Sequence, residues 1–332
     1  MPTFVTRFDM RGPGLDPRQR QELYQRAVAQ AAYVDAHGQD ALMVSEHHAS
    51  EDGYLPSPLT MASAMAAVTS RIPITVSALL VNLYDPLRLA EDIAVIDLLS
   101  GGRVSYTIGL GYRPEEYAMF GRPWPTRGRD IEVAIRTLQQ AWTGASFEHD
   151  GRTVKVTPTP VSRPHPMLFY GGGSVAAARR AGRLGLGFQP QHADPEILTA
   201  YDEACRAAGR EPGFVMTAPP GPINMFCTED VEEFWERYGH HLLADAAGYQ
   251  RWQGESNHYV ADTSTTVEEM RATGVYAVMT PAEIIDRSRA GELHLVAAHP
   301  ACGGLPADPS WASLRLICET VMPALTRRVG AS

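Results

Sequence analysis

Asp40-Ala41-Leu42-Met43-Val44-Ser45-Glu46-His47-His48 carries an apolar stretch straight into two imidazoles. A short continuous apolar run of this kind reads as a strand buried on both faces, as parallel sheets use. Its end then places Glu46, His47 and His48 at the rim where parallel-sheet enzymes keep their chemistry. A second stretch has the same shape: Pro166-Met167-Leu168-Phe169-Tyr170 leads into Gly171-Gly172-Gly173-Ser174 and a helical run from Val175 to Arg183. Bare backbone amides at a helix start, with a serine hydroxyl beside them, make an anion cradle. A histidine and a phosphate site are therefore predicted at the same end of one sheet.

Working outward, strand-like runs alternate with helix-like ones for nearly the whole length, the mark of parallel βα units. Eight strands are predicted: Phe4 to Asp9, Ala41 to Ser45, Ile74 to Leu80, Val104 to Gly109, Met167 to Tyr170, Leu186 to Gln189, Ile223 to Phe226 and Leu293 to Ala298. Helix starts repeat one signature, a capping oxygen followed by proline, at Asp16-Pro17, Ser57-Pro58, Asp85-Pro86, Asp194-Pro195, Thr280-Pro281 and Asp308-Pro309. The reading is an α/β fold, a (β/α)8 TIM barrel formed as a single domain over residues 1–332. Two segments interrupt it. Residues 147–157, centred on Asp150-Gly151, predict a hairpin insertion. Residues 229–273, polar and rich in His, Trp and Tyr, predict a lid-like insertion before the last βα unit.

With 332 residues, 44% of them hydrophobic, the chain can bury a large core, and its net charge of -9 argues against nucleic acid or an anionic membrane as partner. A small-molecule ligand is expected. Cys205, Cys227, Cys302 and Cys318 lack metal or redox spacing, Met1 to Met10 has no apolar signal core, and no apolar run is long enough to span a bilayer. A reduced cytoplasmic protein follows. Lys155 is the single lysine and falls in the predicted hairpin, so a Schiff-base lyase is a poor reading.

Side chains alternate along a strand, so one of His47 and His48 should face the barrel mouth and the other the helices. Histidine's ordinary pKa suits proton transfer near neutrality. Two structural histidines are the bland rival. A zinc site from Glu46, His47, His165 and His192 is another, but the motifs H-x-H and H-E-x-x-H are missing, and the expectation is no metal. The glycine turn has its own rivals, a ligand-free βα turn and a loose Rossmann fingerprint with Asp194 as its acid. Asp194 is better explained as a helix cap.

With these residues in hand, the chain resembles the bacterial luciferase-like monooxygenase family. The likeness rests on Glu46-His47-His48, on Asp85-Pro86-Leu87-Arg88-Leu89-Ala90-Glu91-Asp92 with Leu99-Ser100-Gly101-Gly102-Arg103, on Gly109-Leu110-Gly111-Tyr112, and on Val321-Met322-Pro323-Ala324-Leu325. The resemblance implies reduced FMN, or alternatively a deazaflavin coenzyme, with His47 as the catalytic histidine moving protons around the flavin. It places the ring near Ser45, Ser77, Ala78, Gly109, Tyr112 and Tyr170, with a cis peptide at Ser77-Ala78. The phosphate falls to Gly172, Gly173 and Ser174, with Arg127 as partner. Leu110 and Gly172 depart from the charged phosphate-site residue of luciferase itself, so light emission is not implied.

The function expected is a flavin-dependent monooxygenase that uses dioxygen to oxygenate a small organic substrate under the lid. A separate flavin reductase supplies the reduced cofactor, and a homodimer is implied by the family. The alternatives are a deazaflavin-dependent hydride-transfer enzyme, a phosphate-binding barrel lyase or isomerase, and a non-catalytic flavin-binding dimer partner. Arg7, Tyr84, Arg113, His192, Trp252 and His258 are nominated for substrate, with Asp9 beside Arg7.

Overall fold

The computed structural model describes residues 1–253 and 262–326. Each apolar run of the reading becomes a strand of one parallel sheet, because runs too short for a helix can satisfy their backbone only through neighbours. The strands begin with β1 (Thr3–Phe8), β2 (Ala41–Val44), β3 (Ile74–Leu79) and β4 (Val104–Ile108). A hairpin, β5 (Phe147–His149) and β6 (Arg152–Val154), pairs antiparallel apart from them, with Asp150 and Gly151 at positive φ in its turn. The sheet resumes with β7 (Leu168–Gly172), β8 (Gly187–Pro190), β9 (Asn224–Cys227), β10 (Tyr276–Met279) and β11 (Leu295–Ala298). Among the described residues it has nine strands in the order β10-β9-β11-β1-β2-β3-β4-β7-β8, and Val215 adds a parallel bridge to Phe188 of β8.

Tyr276–Met279 is a strand the sequence reading does not contain. It is only four residues long and sits between the expected lid and the Thr280 cap, so nothing in its composition separates it from the insertion. The 229–273 segment also differs from a polar lid. It holds a helix, Val231–Gln253, that sends Phe234, Trp235, Leu242, Ala246 and Tyr249 inward, and a shorter one, Val267–Thr273. Phe234, Trp235, Leu242 and Ala246 pack with Phe226, Tyr276 and Val278 in an apolar cluster of their own. Burying this face, about 1.5–3 kcal/mol for each large side chain, docks the helix onto β9 and β10.

The caps form as the signature predicts at Asp16, Asp85, Asp194 and Thr280, each side chain accepting from first-turn amides. Two differ. Ser57 spends its hydroxyl on Thr60 instead of a backbone amide. Asp308-Pro309 falls inside the first turn of the helix Ala307–Arg315, where proline costs no hydrogen bond. The Leu99–Arg103 motif is built for cohesion. Gly101 and Gly102 take positive φ, and Arg103 then donates to Ser100 O, Ile72 O, Ala66 O, Thr69 O and Thr69 Oγ1, tying two helix ends to β4. This lies at the N-terminal end of the strands, away from the histidines. Among the described residues no helix is long and apolar enough to cross a membrane.

Candidate active site

Strand β2 ends at Val44, and the chain then turns along the rim formed by the C-terminal ends of β1, β3 and β4. Over this turn His47 and His48 diverge. His47 reaches across to the loop after β4, where its Nδ1 lies 2.9 Å from Glu116 Oε1 and its Nε2 lies 3.1 Å from the Tyr112 hydroxyl. The rings of Tyr54, Trp252 and Tyr112 surround it at centroid distances of 4.9, 4.7 and 5.2 Å. His48 turns the other way, its Nε2 against Glu46 Oε1 at 2.9 Å and its ring edge-on to Phe120.

Glu116 fixes the first of these rings. Its Oε1 accepts from His47 Nδ1, from the His48 backbone amide at 2.9 Å and from Arg113 Nη1 at 3.2 Å. Burial alone would push the Glu116 carboxyl up, but the hydrogen bond and charge of His47, the His48 amide and Arg113 hold it below its ordinary value. An ionised Glu116 accepts a hydrogen bond from His47 Nδ1–H, which leaves Nε2 as the acceptor facing Tyr112. The His47 pKa is lowered chiefly by burial, with Arg11 and Arg113 adding to it against the opposing pull of Glu116. The imidazole is therefore neutral at pH 7, with a defined tautomer.

A second set of charges backs the first. Asp9, after β1, lies 3.0 Å from His299 Nε2 and is held far below the ordinary carboxylate range, burial notwithstanding, by His299, Arg7 and Arg11. Arg7 donates to Asn224 Oδ1 at 3.1 Å and to the Tyr249 hydroxyl at 3.0 Å. Arg11 pairs with Asp52, and its guanidinium lies over the rings of Tyr54, Tyr249 and Trp252. Asp245 accepts from Tyr276 at 2.6 Å and is raised by burial and by Asp9. A hydroxyl chain runs from Ser45 through Tyr54 to Tyr249, whose phenol burial pushes up to about 12. Asp245, Tyr249 and Trp252 all come from the helix Val231–Gln253, so the inserted helix is pinned to the rim by charge as well as by apolar packing.

The remaining nominated residues are spread over several strand ends and loops. The Ser77-Ala78 peptide is cis, and Ser77 Oγ and Thr107 Oγ1 both meet Gln189 Oε1. A Cβ on Gly109 would stand 2.7 Å from that of Ala78, and one on Gly171 would stand 2.9 Å from Thr107 Cγ2. The ends of β3, β4 and β7 therefore pack closely on one another, with no side chain at either glycine. Gly172 and Gly173 lead to Ser174, which caps the helix Val175–Leu184 by accepting from the Ala177 amide at 3.2 Å and keeps its O–H to donate. Arg127 stacks on Trp124, and its Nε is buried with no hydrogen-bond partner. A cavity of about 650 Å³ lies next to it, lined by Thr126, Gly128, Arg129, Glu132, Arg136 and Arg180.

Tyr170 turns outward from β7 to Arg180, and Tyr84 donates to Glu46 Oε1, so both brace the rim from outside. Arg113 lies by Glu116 and over the Trp252 ring, while His192 is exposed. His258 lies outside the described residues. Of the zinc rivals, Glu46 is committed to His48, Leu80 and Tyr84, and His165 to Pro166 O beside Trp142. Among the described residues, Asp245, His299 and Cys302 bring ligand atoms within 4.8 Å of one another, inside the ion-pair network.

Sequence reasoning missed Glu116, Arg11, Tyr54, Tyr249 and Gln189. Glu116 follows Pro114 in a first helical turn, where an acid reads as a dipole partner on the surface. Tyr54 and Arg11 sit in loops with no periodicity. Only the juxtaposition of loops from different strands reveals them.

The chain matches the family model described as luciferase-like monooxygenase over residues 6–297. It is 32% identical over 134 residues to an FMNH(2)-dependent dimethylsulfone monooxygenase from Pseudomonas putida, covering 38% of this chain and 37% of that protein. It is 31% identical over 172 residues to an F420-dependent glucose-6-phosphate dehydrogenase from Amycolatopsis mediterranei, covering 48% of this chain and 51% of that one. The chain thus spans about half or less of these relatives' length. Among solved structures it is similar to a monooxygenase from Streptomyces bottropensis, with a TM-score of 0.73, 22% identity, and coverage of 97% of this chain and 99% of that one. It is also similar to the oxygenating constituent of 3,6-diketocamphane monooxygenase from Pseudomonas putida in complex with FMN, with a TM-score of 0.66, 21% identity, and coverage of 97% and 99%. These structural likenesses carry the fold, the α/β barrel read from the sequence.

Proposed function

Because the chain belongs to the luciferase-like monooxygenase family, we propose that it is a monooxygenase that uses reduced FMN and dioxygen to oxygenate a small organic substrate. On this reading a separate reductase delivers the reduced flavin, and the protein works as a homodimer in the cytoplasm. The observation that carries it is His47, a neutral imidazole 8% exposed and enclosed by Tyr54, Tyr112 and Trp252 at the rim of the sheet.

The residues present fit the cofactor. Gly109 and Gly171 present bare backbone at the strand ends, where a Cβ would collide with Ala78 and Thr107, and this bare backbone is read as the surface on which a flat ring lies. Gly172, Gly173 and Ser174 offer a helix N-terminus for a phosphate, and Arg127 keeps a buried Nε without a partner. When bound, reduced flavin supplies the two electrons that activate dioxygen.

The chain's own part is proton handling and exclusion of water. Glu116 commits the His47 Nδ1 proton, so Nε2 is the atom that accepts or returns a proton, through the Tyr112 hydroxyl 3.1 Å away. Trp252 and Tyr54 cover the imidazole, and the Arg11 network holds them there. A dry enclosure of this kind favours oxygenation of substrate over loss to water.

The test is anaerobic titration with reduced FMN and, separately, with a reduced deazaflavin, followed by admission of oxygen. Tight FMN binding and rapid reaction with oxygen are expected. Preference for the deazaflavin, with slow reaction, would replace this reading with hydride transfer. In the same titration Gly173→Asp should weaken FMN binding by about tenfold or more, since it sets a carboxylate against the phosphate. Undiminished binding would remove the cradle.

A further inference from the structure

Trp252 occupies the place over His47. Its indole is edged by the His47 ring at 4.7 Å and by Tyr54 at 5.7 Å, and two guanidinium groups lie over it, Arg11 and Arg113, each 4.3 Å from the ring centroid. Nothing can approach His47 from this side while the indole is there. The charges around the slot decide what could take its place. Arg113 lies edge-on to Glu116 and to His48 O, and Arg11 is paired with Asp52 and lies near Asp9 and Asp245. Each cation already has its carboxylate, which argues against an anionic substrate. Both guanidinium carbons lie over the indole ring. Arg11 Nη2 in addition has no hydrogen-bond partner, although the side chain is 1% exposed.

We infer that the substrate is a planar aromatic compound bearing an oxygen acceptor, which displaces the Trp252 indole and stacks against the faces of Arg11 and Arg113 above His47. The inference rests on the monooxygenase reading for its chemistry, but not for its binding. A guanidinium face attracts an electron-rich ring and offers little to a saturated one. The unpaired Nη2 gives the oxygen of a phenol or ketone a buried donor. Trp252 acts as the internal stand-in that keeps the slot closed until such a ring replaces it.

Calorimetric titration of the flavin-free full-length chain tests this without the cofactor, so its failure leaves the flavin reading standing and the FMN titration can fail independently. The probes are 2-naphthol and its saturated counterpart, trans-2-decalol. Naphthol should bind about tenfold more tightly. Trp252→Ala removes the competing indole and should bind naphthol several-fold more tightly than the parent chain, with the preference for the flat ring kept. Arg113→Lys keeps a cation beside Glu116 but loses the flat face, and should cut the preference for naphthol several-fold. Equal affinity for the two alcohols overturns the inference, as does unchanged or weaker naphthol binding in Trp252→Ala, or an unaltered preference in Arg113→Lys.

Discussion

His47 and His48 are adjacent in sequence, both buried, and each sits 2.9 Å from a glutamate oxygen, yet they face different surroundings. The difference lies in what the second atom of each pair touches. Glu46 also accepts from the Leu80 amide at 2.6 Å and from the Tyr84 hydroxyl, so the His48 pair closes on the structure around β3. Glu116 binds His47 and the adjoining backbone, and the far nitrogen of His47 points to Tyr112 under the roof of the inserted helix. One pair ends in the scaffold and the other at the mouth. A histidine–carboxylate pair is thus no sign of chemistry until the free end of the imidazole is traced.

The widest separation between the two should appear in turnover. His47→Ala is expected to keep FMN affinity within about a few-fold and lose turnover by about 10²–10⁴, the range of a lost acid–base group. His48→Gln should leave turnover within about threefold and lower the melting temperature instead, since it disturbs the brace at Glu46. Steady-state rates and thermal melts of both variants decide it. Comparable loss of turnover in both would erase the distinction.

The next effect is on pH dependence. Burial and the two arginines hold the His47 pKa below 6.5, while Glu116 pulls it upward. If His47 accepts the proton as proposed, its neutral form is the competent one, and activity should persist below pH 6.5 and fall only as the lowered pKa is reached. Glu116→Gln removes the upward pull, so the acid limb of kcat/KM should move to lower pH while kcat falls by about tenfold for want of a fixed tautomer. A merely structural Glu116 would leave the limb in place. Stability carries the same sign: between the folded pKa and 6.5 the unfolded chain binds more protons at His47, so the fold loses stability as pH falls through that window. Glu116, held below its ordinary value, adds a further loss at more acid pH, as its own carboxylate is protonated.

Most of the parallel sheet was legible because short apolar runs have one way to satisfy their backbone, and the capped starts at Asp16, Asp85 and Thr280 fixed the phase of the helices between them. β10 was illegible because four apolar residues beside a polar insertion carry no period. At the site, the histidine pair and the glycine turn were visible as local motifs. Glu116, Arg11 and Tyr54 were not, because their roles arise from loops of different strands meeting at one rim. Strand alternation predicted that the two histidines would diverge, and they do, but over the turn beyond Val44 and not within β2, and the pattern could not say which carboxylate each would find.

The smallest effect sharpens the comparison from the side of the roof. Gly248, on the inserted helix, lies against Arg11: a Cβ there would fall 1.9 Å from Nη1 and 3.2 Å from Asp52 Oδ2. Gly248→Ala must therefore push the guanidinium off Asp52 or lift the helix, at a cost of about 1–3 kcal/mol for overpacking a filled site. Alanine favours the helix by about 1 kcal/mol over glycine, so the net loss should be modest. If Arg11 is what holds Trp252 over His47, the variant should also raise acrylamide quenching of tryptophan fluorescence, while His48 and its brace at Glu46 remain as they are. A variant as stable as the parent, with quenching unchanged, would mean that the roof is held by the apolar cluster around Phe234 and Leu242 alone. The charges at Asp9, Arg11 and Asp245 would then serve the barrel and not the enclosure of His47.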